Sequence, residues 1–151
     1  MLQAFLFLFL LFFSLVFFKL FCYNDCKVID MKKNCILVRT NGDVEKIYVD
    51  LSNRSEILNL LDCKRVNIIH THGMANLTKV LGSYVSIVGY CDANGYYTNK
   101  NDNPIIQQIS GYDTIIGDVL LCALNHENED DDIPEPILNS LYSYINILKN
   151  I

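Results

Sequence analysis

Two histidines separated by one residue, His70-Thr71-His72, have the spacing in this chain best suited to chemistry. On an extended strand, residues i and i+2 point the same way, so both imidazoles would offer nitrogen ligands to a divalent metal from one side. Two ligands do not make a site; a third would have to come from His126, Asp92, Cys91 or Asp118. His70 and His72 are thus the candidate metal ligands, and the plainer reading of the pair, beside Gly73, is a hydrogen-bonded strand end. Cys91-Asp92 with His70 as base is the corresponding candidate for a nucleophile, but that chemistry needs a through-space approach that spacing does not dictate. No catalytic or cofactor-binding residue is assigned, and no cofactor is expected.

A second stretch points to recognition rather than catalysis. Residues 94–103, NGYYTNKNDN, mix tyrosines with adaptable amides, a composition typical of contact surfaces. Tyr96, Tyr97 and Asn99 form the candidate contact loop, the plainer alternative being a hairpin with the tyrosines half-buried. The acidic run 127–132 lacks the glycine and closing glutamate of a calcium-binding loop and reads as a solvated connection. The net charge is −5 and stays so without residues 1–30, where Lys19 and Lys27 offset Asp25 and Asp30. An acidic body with no basic cluster is poorly suited to phosphate backbones, so nucleic acid is not an expected partner.

The elements that would position these residues follow from periodicity. Residues 35–40 are apolar and β-branched, Asn41-Gly42 is a two-residue turn signal, and 44–49 alternate as the returning strand. Asn53 with Glu56 resembles a capping box ahead of a helical face made by Ile57, Leu58, Leu60 and Leu61. A strand at 66–71 follows, then one at 84–91 turned by Asp92-Ala93-Asn94-Gly95 into 96–98. Asn103-Pro104 opens a brief helix closed by Gly111, and 114–124 is long and apolar enough for a central strand, with Gly117 marking a bulge. From Pro136, Ile137, Leu138, Leu141, Ile145 and Leu148 recur with helical period. The expected fold class is α+β: a small, mostly antiparallel sheet with about two helices on one face.

Residues 1–30 are of another composition. All eight phenylalanines lie between Phe5 and Phe21, and residues 2–18 carry no charge. With Lys19 reaching the interface, the apolar run extends to Tyr23, near the roughly 20 residues that span hydrocarbon. Leu2, Phe5, Phe9, Phe13, Phe18 and Phe21 therefore mark an expected transmembrane helix. No basic residue precedes the run and no Ala-x-Ala follows it, which argues against a cleaved signal. Lys19, Lys27, Lys32 and Lys33 flank its C-terminal side and place the body in the cytosol. This gives two domains: an anchor with its flank, 1–30, and a small α+β domain, 31–151. The alternative is translation from Met31, which would leave a cytoplasmic protein without the anchor. Cys22 and Cys26 would then be lost as candidate palmitoylation sites. The scattered cysteines show no zinc spacing and fit a reducing compartment, where the sequons at Asn53 and Asn76 stay unused.

The order of pieces in 31–151 resembles the domain of unknown function 3846 family of phages, plasmids and large DNA viruses. The stretches that carry the likeness are CILVRTNGDVEKIYVD, EILNLLDCKRVNIIH, VSIVGYCDANGYYTNKNDNP and YDTIIGDVLLCA, followed by the acidic loop and closing helix. The resemblance implies a viral or mobile-element origin; it implies no reaction, ligand or catalytic position. The expected function is a non-catalytic binding or interaction module held at a membrane by one N-terminal span, its partners membrane lipid and an unknown protein. The alternative is a soluble small metal-binding protein or enzyme using His70 and His72.

Overall fold

The computed structural model describes residues 32–71 and 86–150. These fall within one compact unit, Met31–Ile151. The expected span from Leu2 to Phe21, the cysteines at 22 and 26, His72 and the Asn76 sequon lie outside the described residues. Among the described residues no helix is long and apolar enough to cross a membrane.

The first hairpin joins β1 (Lys32–Val38) to β2 (Val44–Asp50), in register from Val38 opposite Val44 to Lys32 opposite Asp50. Its turn uses Gly42 at φ +87°, and the Asn41 side chain accepts from the Asp43 N–H at 2.9 Å. Helix α1 (Arg54–Leu60) starts at Asn53, whose Oδ1 accepts from the Glu56 N–H at 3.4 Å. Strand β3 (Val66–His70) pairs antiparallel with β4 (Ser86–Asp92). Helix α2 (Pro104–Ser110) begins on proline and ends at Gly111 with φ +75°. Strand β5 (Val119–Leu124), the two-residue β6 (Asp130–Asp131) and helix α3 (Glu135–Leu148) complete the chain. The sheet runs β2-β1-β5-β4-β3, with β6 beside the far end of β5, and every pairing is antiparallel. Among the described residues the fold is α+β, a six-stranded antiparallel sheet with three helices.

Two helices, α2 and α3, pack on one face, and α1 covers the other face, which the expected fold left bare. Alternation along β1 sends Ile36 and Val38 one way and Cys35 and Leu37 the other. The first pair packs with α2 and α3 through Ile106, Ile109, Leu141 and Ile145. The second packs with α1 through Ile57 and Leu61. The reason lies in β5, whose VLLCAL sequence is buried at all six positions. A strand with no polar alternation needs cover on both faces. Gly89 of β4 belongs to the same dense centre: a Cβ there would sit 2.9 Å from the side chains of both Ile69 and Val119.

Three further expectations are corrected. The central strand starts at Val119 rather than near 114, because Gly117 turns with φ +87° and the Asp118 carboxylate accepts from the Thr40 N–H and from Arg39. These contacts draw the chain off the ladder. Residues 96–98 do not return as a strand: Asp92 Oδ1 accepts from the Asn94 N–H at 2.8 Å, and the chain winds into a 3₁₀ turn at Gly95–Tyr97. The acidic run is not a solvated loop throughout. Tyr90 donates its hydroxyl to Asp130 at 2.8 Å, the Asn34 N–H donates to Asp132 at 2.7 Å, and Lys33 pairs with Asp131 at 3.7 Å.

Candidate recognition site

The sequence-derived candidates separate into two places. His70 lies exposed on β3 opposite Val88, while His72 is outside the described residues. Cys91 stands opposite Asn67 on the same face of the sheet, and His70, three residues along, points to the other face. At about 3.3 Å per residue the two are also roughly 10 Å apart along the ladder. The chain therefore does not assemble Cys91 and His70 as nucleophile and base. Asp118 is engaged by Arg39 and Thr40, and His126 is exposed beside Glu127 at 3.8 Å. No group of three or more His, Cys, Asp or Glu among the described residues is placed to hold a metal ion.

Burial holds the thiols in their protonated form. It pushes Cys91 up to about 11, with Asp92 adding to the effect, and Cys35 up to about 12, with Asp130 and Asp132 assisting. Cys122 is driven upward by burial and then by Cys35. A thiol raised on folding binds its proton more tightly in the native state than in the unfolded chain, where it is released near 9.0. The stability that this supplies is whole below pH 9 and is lost as pH rises from about 9 towards 12, at up to about 1.4 kcal/mol per pH unit for each thiol. The melting temperature should therefore fall steadily above pH 9. A melting temperature level to pH 11 contradicts this account.

The other place is the end of the sheet where β4 stops. The Asp92 carboxylate is only 2% exposed and forms an ion pair with Lys100 Nζ at 3.0 Å. Among the described residues Oδ2 has no further partner. The same ammonium donates to the Leu61 carbonyl at 2.9 Å and the Asp62 carbonyl at 2.5 Å. It thus closes the C-terminal end of α1, where carbonyls have no helical partner. Ala93 N–H donates to the Arg65 carbonyl at 2.8 Å. Gly95 is pressed against Ile116, where a Cβ would come within 3.0 Å of the carbonyl.

On this braced turn stand Tyr96 and Tyr97, 76% and 84% exposed. Their rings meet edge to face at 5.8 Å. Asn99 follows with φ +52° and is likewise exposed. A cleft of about 390 Å³ opens beside Tyr96 and another of about 720 Å³ beside Tyr97, and Asp92 lies at the wall of both. The tyrosine-bearing loop was legible from composition. Its exposure was not, because it follows from the Asp92–Asn94 turn and the Lys100 pair, which no periodicity reveals.

The chain matches no family model, no curated protein and no solved structure.

Proposed function

We propose that the protein is a non-catalytic interaction module that binds a partner protein through the Tyr96-Tyr97 turn. One observation carries this reading: two adjacent tyrosines project almost wholly into solvent from a turn fixed by a buried ion pair. Large, rigid, amphipathic rings held out at low entropic cost supply contact area cheaply. A turn braced in advance also loses little conformational freedom on binding. The proposal extends to the whole chain as a single-pass membrane protein, anchored by the apolar run from Leu2 to Phe21 with the α+β domain in the cytosol. The basic residues after the run support that orientation. The likeness of 31–151 to the domain of unknown function 3846 family, in the order and hydrophobicity of its stretches, supports a viral or mobile-element origin.

The test is site-directed photocrosslinking in the cells that express the full chain. Benzoylphenylalanine at position 97 should give a discrete adduct with one cellular protein, recovered in the membrane fraction. The same group at position 144, on exposed Tyr144 of α3, should give none. Adding Tyr96→Ala should lower the adduct roughly tenfold, the loss of about 1.4 kcal/mol typical of an interface aromatic, with the circular dichroism unchanged. Equal labelling from both positions, or none from position 97, rejects the reading.

A further inference from the structure

The smaller cleft, about 390 Å³, has walls formed by β3, Tyr96, Tyr112 and residues 114–116. Three of its large apolar residues are wet: Tyr96, Ile68 at 45% exposure and Tyr112 at 42%. Among the described residues no Lys, Arg or His lines it. Asp92 in its wall is paired with Lys100, so the nearest remaining charge is carried by neighbours of the lining residues. Asp113 is exposed between two lining residues, Tyr112 and Thr114. Asp102, also exposed, bridges to Ile116, another lining residue. Among the described residues neither carboxylate is paired with a cation.

Aromatic rings offer negative faces, and the two neighbouring carboxylates, unpaired among the described residues, add negative charge. The complement is a cation carried on an apolar stem. Between the two basic side chains, the planar guanidinium stacks on tyrosine, is less strongly hydrated than an ammonium and takes a carboxylate with two parallel hydrogen bonds. The volume lies at the low end of ligand clefts and suits one side chain rather than a large cofactor. We propose that this cleft receives an arginine side chain from the partner protein, stacked on the tyrosine walls and paired with Asp113 or Asp102. The proposal rests on the interaction reading above and names the chemistry of the partner.

The probe is a random dodecapeptide library displayed on phage and selected on the full-length chain in detergent micelles. Arginine should be enriched about tenfold at one position. A selected peptide should bind about tenfold more weakly to Tyr112→Ala and to Asp113→Asn, and more weakly still to Asp113→Lys. Tyr144→Ala, exposed on α3 and no part of the cleft lining, should leave the affinity within about twofold. Selected peptides rich in apolar residues but free of arginine, or lysine and arginine enriched alike, overturn the arginine assignment while leaving the interaction module intact. No enrichment overturns it too, and the crosslink from position 97 then reports separately on the module. Since Tyr112 and Asp113 are exposed, these variants test recognition without disturbing the core.

Discussion

Replacing Asn103 with alanine is expected to cost about 3–5 kcal/mol, a large part of the 5–15 kcal/mol that holds a domain of this kind together. Asn103 is completely buried. Its Nδ2 donates to the Val38 carbonyl at 3.1 Å and to the Gly117 carbonyl at 3.2 Å. Its Oδ1 accepts from the Ile106 N–H at 3.3 Å. One side chain therefore caps α2, ties the end of β1, and holds the loop that leads into β5. Truncation leaves two carbonyls and an N–H without these partners, at about 1–3 kcal/mol for each group that stays dry, and removes a helix cap worth about 1 kcal/mol. Asn103→Asp should be no better, because the carboxylate keeps the acceptor for Ile106 but faces both carbonyls without a donor. Urea unfolding followed by circular dichroism measures the loss, and a change below 1 kcal/mol for Asn103→Ala would refute the assigned role.

Lys100→Met should cost about 3–4 kcal/mol. The substitution keeps much of the apolar stem but strips the cation from a carboxylate that is 2% exposed. Removing one partner of a buried pair leaves the other charge uncompensated, at about 3–5 kcal/mol, whereas removing both costs far less. The Leu61 and Asp62 carbonyls lose their donor at the same time. The double variant Lys100→Met/Asp92→Asn should recover at least about 1 kcal/mol relative to Lys100→Met alone, because the amide carries no buried charge and its oxygen can still accept from Asn94 N–H. Denaturant midpoints of the two single variants and the double variant decide the matter. Additive losses would show that the two groups do not act as a pair.

The parts of the fold that sequence made legible are those fixed by short-range chemistry. Asn41-Gly42 set the first turn, Asn53 the start of α1, Pro104 and Gly111 the two ends of α2, and the apolar period the length of α3. What could not be read depended on partners far along the chain. Asp118 is held by Arg39 and Thr40, 79 and 78 residues away, and so shortens β5. Asp130 is held by Tyr90, 40 residues away, so half of an acidic run becomes structure. The opposite placement of α1 was implicit in VLLCAL, since a strand apolar at every position has two faces to cover, but nothing local says which helix covers which.

The candidate site shows the same division. Tyr96, Tyr97 and Asn99 stood out by composition, and the structure carries all three on an exposed turn. Their support did not stand out: a lysine four residues after Tyr96 reads as a soluble loop residue until its ammonium is seen against Asp92. The tyrosine at position 112 and the acid at 113 were passed over for a related reason. They gain meaning only when the chain between α2 and β5 returns to the side of β3.

One feature of the sheet bears on how the domain withstands a pull. Strand β1 is the first described element after the N-terminal region, and it is bonded to β2 on one side and β5 on the other. Tension applied through residue 32 along that strand is shared by two rows of lateral hydrogen bonds, where an edge strand has one. A tether at that end would therefore act on an interior strand, away from the border of the sheet that carries β3.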